Sequence, residues 1–202
     1  MKPANRQTGK LANQKVGRIF IISAPSGCGK TTLCRKLLRS DAGLVRSISA
    51  TTRPRRKGES RGNDYYFASK ADFQKGISRG RFLEWARTYG WYYGTPRRFV
   101  DRMLRRGRDV LLSIDVKGAF KVKALYPDAV LIFILPPSLQ ELKGRLKKRN
   151  ADNKKEIEKR LKIVRRELSF TSKYDYAVVN DSIEKAVNKL RAIVIAEKNR
   201  VR

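Results

Sequence analysis

The sequence predicts an α/β fold in which a parallel sheet carries helices on both faces. Four short runs rich in β-branched and other apolar residues have the composition of buried strands. These runs cover residues 19–22, 110–115, 129–135 and 176–180. Between them, apolar residues recur at the three- and four-residue spacing of helices. Because strand and helix alternate along the chain, the strands should lie parallel and place a ligand site beyond their carboxyl ends.

The first strand continues into a glycine-rich turn and a helix, an arrangement that binds phosphate groups. The segment APSGCGKT departs from the pattern G-x-x-x-x-G-K-[ST] only at Ala24, where glycine is usual. Gly27 and Gly29 allow backbone N–H groups to curve around an anion at the positive end of the helix. Lys30 would reach the β- and γ-phosphates of ATP, and the Thr31 hydroxyl would ligate Mg²⁺. The residues predicted to bind ATP here are Ala24, Pro25, Ser26, Gly27, Cys28, Gly29, Lys30, Thr31 and Thr32.

The composition narrows the class of protein. The 202 residues are 41% hydrophobic, enough for one domain with an inserted lobe, and contain no apolar run long enough to cross a membrane. The cysteines are Cys28 in the phosphate loop and Cys34 on its helix, which does not suggest a disulfide framework, so we expect a cytoplasmic location. Cys28 is interpreted as a small residue that fills a tight loop, and the alternative is a thiol whose pKa is lowered by the nearby helix N-terminus. Histidine is absent, which excludes the commonest general base and metal ligand but is compatible with phosphoryl transfer.

The excess of positive charge has two interpretations. Lysine and arginine number 48 against 18 aspartate and glutamate, which gives a formal net charge of +30. Such a surface favours polyanions such as RNA through sequence-independent phosphate contacts. A basic surface around a nucleotide cleft is the interpretation we favour, because the aromatic residues are not interleaved with the basic ones. Residues 1–16 are basic and contain no acidic residue, and they are predicted to form a disordered tail, with a nucleic-acid-binding arm as the alternative.

The chain after the first helix is predicted to form a short strand and an arginine-rich loop. Alternation over residues 45–52 predicts the strand. Arg53 and Arg56 follow in the loop, with Tyr65 beyond them. This cluster is either a solvated basic loop or a fork of guanidinium groups for a dianionic phosphate.

A helix and a hairpin are expected next. Ser69 and Asp72 predict the start of a helix that stops at Gly80. Aromatic-rich segments on either side of Gly90 predict the hairpin. Glu84 is a carboxylate between two apolar residues of this hairpin, and it would need a hydrogen-bond donor if it were buried.

Three further helices are predicted in the second half of the chain. One covers residues 99–104 and ends at Gly107. Ser138 and Glu141 form the capping box of the next helix. The last helix is predicted to be capped by Asp181 and Glu184 and to bury Ile183, Val187, Leu190 and Val194.

Taken in order, these motifs resemble the guanylate kinases, the family that transfers a phosphoryl group from ATP to GMP. The similarity spans residues 18–198 and rests on SAPSGCGKTT, SATTRPRRKGE, DYYF, FLEWA, YYGT, the strand that ends ID, residues 149–160 and VVND. A phosphate loop alone would not identify the substrate, whereas this ordered set is specific. The resemblance implies a P-loop NTPase-type core over residues 17–48 and 97–198, an inserted GMP-binding lobe over residues 49–96 and a helical lid over residues 149–166.

The resemblance also implies roles for individual residues. The catalytic set that it implies is Lys30, Arg53, Arg149 and Arg160, of which the last two would lie on the lid. Two further contacts with ATP are implied for Arg145 and Asn180. The implied GMP-binding residues are Ser49, Arg53, Arg56, Tyr65, Glu84, Tyr93, Thr95 and Asp115. The implied Mg²⁺ ligands are Thr31 and Asp115.

The sequence departs from the family pattern at four places. Pro54 directly follows Arg53, one position earlier than usual, and Asn150 replaces a glycine of the lid. Ser113 replaces the first acid of a D-x-D strand end, and Lys117 replaces a glutamine. Because side chains alternate along a strand, we expect Ser113, Asp115 and Lys117 to share the face that lies toward the nucleotide crevice.

The activity expected on this basis is in-line transfer from Mg-ATP to GMP, and to dGMP, without a covalent enzyme intermediate. The sequence allows three alternatives. A guanylate-kinase-like interaction domain without catalysis is disfavoured because Lys30 and Thr31 are intact. An RNA-binding protein is compatible with the charge, but the sequence has no recognised RNA-binding motif. A kinase for another acceptor stays open because of Ser113.

Overall fold

The computed structural model describes residues 16–41, 43–88, 90–149 and 154–201. Of the predicted tail, residues 1–15 therefore lie outside the described residues. The side chains of residues 146–149, 154–157 and 159 also lie outside the description.

A five-stranded parallel sheet forms the core, as the sequence predicts. Its strands are β1 Ile19–Ser23, β2 Leu44–Arg46, β7 Asp109–Ser113, β8 Val130–Leu135 and β9 Tyr176–Val179. Their order across the sheet is β2-β7-β1-β8-β9, and each neighbouring pair is parallel. The central strand β1 has apolar residues buried on both of its faces, which explains its unbroken run of large aliphatic and aromatic residues.

Helices cover both faces of this sheet. The helices of the core are α1 Lys30–Ser40, α3 Arg97–Arg105, α4 Val116–Leu125, α5 Leu139–Arg149, α6 Lys154–Leu168 and α7 Ile183–Asn199. Phe20 and Ile22 of β1 pack in one apolar cluster with residues of α1 and α7. Ile19 and Ile21 pack in a second cluster with residues of α3 and α4. Adjacent β1 side chains therefore enter opposite halves of the core, as the two-residue period of a strand requires.

A second sheet lies between β2 and α3 in the sequence. Its strands are β3 Ala50–Thr51, β4 Tyr66–Phe67, β5 Phe82–Thr88 and β6 Trp91–Pro96, in the order β4-β3-β6-β5, and α2 Lys70–Ser78 belongs to the same segment. Ser69 caps α2 by accepting a hydrogen bond from the Asp72 amide at 3.0 Å. Gly90 has φ of 84° in the turn between β5 and β6, which confirms the predicted hairpin.

The single strand predicted over residues 45–52 is divided between the two sheets. The Ser47 amide donates to the Leu111 carbonyl at 3.1 Å, which continues the pairing of β2 with β7. Two residues later the Ser49 carbonyl accepts from the Tyr66 amide at 2.9 Å, in the second sheet. Residues 47–49 therefore lead from the core to the lobe, a change of hydrogen-bond partner that alternation of side chains cannot reveal.

The start of the last helix also differs from the prediction. Ser182 is the N-cap of α7 without a side-chain capping bond, because Asp181 instead accepts from the Ser182 amide at 2.7 Å. Ile183 is exposed, whereas Leu190 and Val194 are buried as predicted. The prediction of a capping box formed by Asp181 and Glu184 was therefore wrong.

The predicted lid falls on α5, α6 and the residues between them. Asn150 lies outside the described residues, so its effect on a hinge stays a prediction. The boundaries of the core, the GMP-binding lobe and the lid also stay predictions. Among the described helices, none combines the length and the hydrophobicity that crossing a membrane requires.

Candidate active site

A cavity of about 290 Å³ opens at the carboxyl edge of the core sheet, where a parallel sheet binds its ligands. The phosphate loop and the first turn of α1 form one side of it, over residues 24–32. The end of β7 contributes Ser113 and Asp115, and the second sheet contributes Glu84 and Tyr93. Glu167 of α6 lines the same cavity. The two sheets thus border one continuous space.

The phosphate loop has the backbone that its glycines predict. Gly27 and Gly29 have φ of 91° and 81°, in the left-handed region. The Asn180 side chain donates from Nδ2 to the Cys28 carbonyl at 2.8 Å. A Cβ at Gly29 would lie 2.6 Å from Asn180 Nδ2, so this close approach also requires glycine. The loop is therefore held from behind by a buried amide at the end of β9.

Cys28 is fully buried within this loop. Burial raises the pKa of its thiol to about 12, while the positive charges of Arg145 and Lys30 oppose the shift. A thiol with this pKa stays protonated and unreactive near neutral pH. The interpretation of Cys28 as a packing residue is confirmed.

Lys30 connects the phosphate loop to the end of β7. Its Nζ donates to the Ile114 carbonyl at 2.9 Å. Burial lowers the pKa of Lys30, and the nearby acidic groups, Asp115 and Glu167 among them, oppose that shift. The ammonium group is thereby positioned over the cavity before any nucleotide arrives.

Glu84 is a buried carboxylate that keeps an oxygen available in the cavity. The pairing of β5 with β6 places Thr95 opposite Glu84, and Thr95 Oγ1 donates to Glu84 Oε1 at 2.6 Å. Burial raises the pKa of Glu84 to about 7, although the hydrogen bond from Thr95 lowers it. Gly118 approaches the other oxygen so closely that a Cβ there would lie 2.7 Å from Oε2. The donor that the sequence demanded for this carboxylate is therefore Thr95.

The arginine-rich loop positions one of its guanidinium groups firmly. Arg53 Nη2 donates to Glu59 Oε1 at 2.6 Å, and Arg53 Nη1 donates to the Pro54 carbonyl at 2.7 Å. The guanidinium carbon of Arg53 lies 5.5 Å from the centre of the Tyr65 ring. The Tyr65 ring in turn packs edge-on against the ring of Tyr93. Burial opposes the charge of Arg53, but the contact with Glu59 more than compensates and raises the pKa of the guanidinium. The loop with Pro54 at its unusual position thus still presents Arg53 beside two phenol groups.

Asp115 lies at the turn from β7 into α4. Its Oδ1 accepts from the Gly118 amide at 2.8 Å, and its Oδ2 accepts from Thr88 Oγ1 at 3.1 Å. The carboxylate therefore caps α4 and is joined to the second sheet by Thr88. Lys117 is exposed on the first turn of α4, so the prediction that it shares a strand face with Ser113 and Asp115 was wrong. The strand ends at Ser113, and two-residue alternation does not continue into a helix.

The remaining predicted residues lie around the cavity without lining it. Thr95 acts through Glu84, and Asn180 contacts the loop backbone. Arg145 Nη2 donates to Glu141 Oε2 at 3.3 Å on α5. The others outside the lining are Arg53, the exposed Arg56 and the half-buried Arg160, while the Arg149 side chain lies outside the described residues.

Four lining residues were not predicted from the sequence, namely Ala86, Thr88, Ile114 and Glu167. Thr88 gave no signal, because threonine is common in strands. Glu167 could have been noticed as a single acid that follows a run of basic residues at the end of α6. Burial raises the pKa of Glu167 to about 7, although the charge of Lys30 lowers it.

The pKa of Glu167 predicts a pH-dependent stability. The folded pKa of about 7 exceeds the ordinary value of 4.5, so the folded protein binds more protons and is destabilised as pH rises between these values. Glu167→Gln removes this effect. We therefore expect the melting temperature of the variant, relative to wild type, to be higher at about pH 8 than at about pH 5. Glu158→Gln, an exposed change on the same helix, is the control, and an identical difference at both pH values for Glu167→Gln would contradict the prediction.

The side chains at the mouth of the loop fit a magnesium ion that arrives with a nucleotide. No cluster of three or more histidine, cysteine or acidic residues suited to a metal occurs in the described part of the chain. Mg²⁺ rarely needs such a cage, because it keeps waters and uses one or two carboxylates together with substrate phosphates. Thr31 and Asp115 both line the cavity and supply a hydroxyl and a carboxylate. This donor set matches what Mg²⁺ requires beside a triphosphate.

The fold and the cavity together define a class of protein. A phosphate loop at the edge of a parallel sheet, continuous with a second pocket lined by Glu84 and Tyr93, is the arrangement of a nucleoside monophosphate kinase, a phosphotransferase. The family model described as "Guanylate kinase" matches residues 16–197. The chain therefore belongs to the guanylate kinase family.

Individual relatives agree with this assignment. The guanylate kinase of Caldanaerobacter subterraneus subsp. tengcongensis is 50% identical over 191 residues, which cover 95% of this chain and 93% of the relative. That of Clostridium tetani is 48% identical and covers 92% of this chain and 88% of its own length. The crystal structure of guanylate kinase from Anaplasma phagocytophilum superposes with a TM-score of 0.78 at 36% identity, over 93% of this chain and 89% of that one.

Proposed function

We propose that this protein phosphorylates GMP, and dGMP, with Mg-ATP as the donor. The observation that carries the proposal is the continuity of the cavity from the phosphate loop to Glu84. A triphosphate bound on the loop would thus share one space with a base held at the second sheet. Family membership supports the general reaction. The geometry of the cavity supports the assignment of its phosphate-loop end to ATP and of its Glu84 end to the guanine base.

The guanine end of the site depends on acceptor groups. Guanine presents adjacent N1–H and N2–H₂ donors, and the carboxylate of Glu84 can accept both while Thr95 holds its Oε1. Adenine has an acceptor at N1, which would face the carboxylate without a donor. Ser49, half-buried in the cavity lining, is positioned to add a further polar contact. Selection between the two purines then follows from the cost of leaving a buried acceptor unpaired.

The phosphate end depends on positive groups in fixed positions. The backbone of the loop and Lys30 would bind the β- and γ-phosphates of ATP. Arg53, held by Glu59 and Pro54, would bind the acceptor phosphate together with Tyr65 and Tyr93. The exposed Arg56 would add to this contact, and Arg145 and Asn180 would contact ATP. Arg149 and Arg160 of the lid would neutralise charge as the phosphoryl group moves in line from one oxygen to the other.

Thr31 and Asp115 are the residues that would hold Mg²⁺. The ion supplies charge neutralisation between the β- and γ-phosphates when it is bound. Asp115 is already oriented by Thr88 and the Gly118 amide, so its carboxylate needs little rearrangement to meet the ion or a water bound to it.

An ADP-release assay with GMP, dGMP, AMP, UMP and CMP in parallel tests the proposal. We expect turnover with GMP and dGMP and little with the other three. Equal turnover with a pyrimidine nucleotide would show that the second pocket does not select guanine. Such a result would favour a kinase with another acceptor, the alternative that Ser113 kept open.

Replacing Asp115 tests its place in the metal site. Asp115→Asn can still cap α4, because asparagine caps helices as well as aspartate does, but it removes the charge. We expect turnover to fall at least about tenfold and the Mg²⁺ concentration for half-maximal rate to rise, since the other acids that line the cavity among the described residues are Glu84, whose carboxylate binds Thr95, and Glu167. Ser113→Asp should stay active with an altered Mg²⁺ dependence. An active Asp115→Asn enzyme with an unchanged Mg²⁺ midpoint would show that Asp115 is not part of the metal site.

The metabolic setting follows from the substrates. An enzyme that consumes ATP and GMP needs a compartment that supplies both, so we place the activity in the cytoplasm, in the synthesis and recycling of guanine nucleotides. Nonspecific contact with nucleic acid through the basic surface is compatible with this activity, and its affinity should fall steeply with salt.

A further inference from the structure

Helix α3 presents a face made of arginine side chains only. Arg98, Arg102, Arg105 and Arg106 are spaced at i, i+4, i+7 and i+8, so they lie on one side of the helix and its C-cap. All four are exposed, whereas Val100 and Leu104 on the opposite side are buried in the core. We refer to these four residues as the arginine face. It extends for about 12 Å along the helix axis.

The described part of the structure shows no ion pair for the arginine face. In the described part of the chain, no aspartate or glutamate lies within salt-bridge distance of any of its four members. The acid of α3 is Asp101, which instead accepts from the Tyr126 hydroxyl at 2.6 Å. Some cations on other helices do have acidic partners. Arg35 of α1 lies 4.0 Å from Asp64, and Lys123 of α4 lies 3.2 Å from Asp175.

The members of the arginine face repel one another. Arg98 with Arg102, and Arg102 with Arg106, are like-charge pairs at i,i+4, which destabilise a helix. A ligand with several negative charges at close spacing would remove this repulsion. Arginine is suited to such a ligand because its planar guanidinium group binds phosphate oxygens in pairs and stays charged at all relevant pH values.

The surroundings of the arginine face extend the positive surface in both directions. At the start of α3 the Arg97 amide donates to the carbonyl of the exposed Arg81 at 3.0 Å. At its end the Gly17 amide donates to the Leu104 carbonyl at 3.0 Å, so the preceding sequence joins the fold here. That sequence contains Lys2, Arg6, Lys10 and Lys15 and no acidic residue.

We propose that the arginine face of α3 is a binding surface for the phosphate backbone of RNA, separate from the catalytic cavity. No residue of α3 lines that cavity, so nucleotide and RNA can bind at the same time. The surface has no exposed stacking platform comparable to those of single-strand-binding domains, so binding is sequence-independent and driven by counterion release.

The test is the binding of a fluorescently labelled single-stranded RNA of mixed sequence, about 20 nucleotides long, followed by anisotropy between about 50 and about 200 mM salt. In the face variant, Arg98, Arg102, Arg105 and Arg106 are all replaced by glutamine, which keeps a good helix former at each position. The control variant carries four equivalent replacements at exposed cations of α1 and α7, namely Lys36→Gln, Arg39→Gln, Lys189→Gln and Arg191→Gln. Both variants lose the same net charge.

We expect wild type and the control variant to bind within about threefold of each other, and the face variant to bind at least about tenfold more weakly at the lowest salt. Each phosphate contact on a single strand contributes about 0.7 to the slope of log affinity against log salt, so the slope of the face variant should be smaller by about two to three. Kinase activity with GMP should stay within about twofold in both variants, which shows that each is folded. RNA should raise the melting temperature of wild type but not of the face variant.

Three outcomes would overturn the proposal. Equal loss of affinity in the face and control variants would show that net charge alone binds RNA. Absence of binding by wild type at the lowest salt would show that there is no such surface. Equal affinity of wild type for a polyglutamate peptide of the same charge would show that the surface recognises acidic polypeptides rather than a phosphate backbone.

The N-terminal sequence provides an independent variant. Deletion of residues 1–15 should reduce the salt dependence of RNA binding further, because it removes four cations from the sequence that precedes Gly17. We expect it to leave kcat/KM for GMP within about threefold, because the predicted reaction uses none of these residues. A loss of tenfold or more in kcat/KM would instead show that residues 1–15 contribute to the catalytic site.

Discussion

Lys30→Ala should reduce turnover at least about a hundredfold with little change in the melting temperature. The lysine ammonium group lies at the junction of the phosphate loop and the end of β7, where it donates to the Ile114 carbonyl. Its charge acts on the phosphates that become more negative during transfer, and the burial that lowers the pKa of Lys30 also strengthens that action. The loss should therefore appear in kcat with Mg-ATP saturating.

The control for this variant is Lys36→Ala, which removes an exposed lysine from the same helix. It should keep nearly full activity. Removal of Lys30 also relieves the cost of burying a cation, because burial lowers the pKa of this lysine. A Lys30→Ala enzyme with near-normal turnover would contradict the assignment of residues 24–32 as the ATP phosphate site.

Glu84→Gln should reduce kcat/KM for GMP by about 10- to 100-fold and change that for AMP much less. The substitution keeps the shape of the side chain but turns one acceptor into a donor, which then faces an N–H of guanine. A buried mismatch of this kind costs roughly 1–3 kcal/mol. Glu184→Gln, at an exposed position of α7, should leave both substrates unaffected. An unchanged GMP to AMP ratio in Glu84→Gln would mean that guanine is recognised by other residues.

The same residue should give the GMP reaction a pH dependence. Burial raises the pKa of Glu84 to about 7, so the carboxylate that accepts from guanine is the minor form below that pH. We therefore expect kcat/KM for GMP to increase as pH rises through about 7 and then to level off. The increase should disappear in Glu84→Gln. If it persists in the variant, the titrating group is another acid, for which Glu167 is the candidate in the same cavity.

The positions of the site residues along the chain explain how far the sequence could predict them. The phosphate loop is contiguous, and its strand, turn and helix each follow from local preferences, so its residues could be assigned without a structure. The parallel sheet was predictable for a similar reason, because buried strands and amphipathic helices have different periods. Glu84 was identifiable as an acid within an apolar segment. The family resemblance implied Thr95 only as a further GMP-binding residue, and the structure shows that Thr95 donates to Glu84.

Contacts between distant segments were beyond this kind of inference. Thr88 and Asp115 are 27 residues apart, and Asn180 and Cys28 are 152 apart, yet each pair forms a hydrogen bond in the folded chain. Glu167, near the end of α6, lines the same cavity as the phosphate loop, which is distant in the sequence. Hydrophobic periodicity does not predict such contacts, since they depend on how whole helices and strands pack.

The sequence by itself determined the nucleotide-binding chemistry of this protein, because phosphate recognition uses closely spaced residues whose backbone conformation is set locally by glycine. Only the tertiary structure decided which charges are paired. Arg53 is held by Glu59 and Asp101 is engaged by Tyr126, whereas the arginine face of α3 forms no ion pair among the described residues. Ion pairs form between side chains that packing brings together in three dimensions. The net charge of +30 therefore could not show which cations form no ion pair.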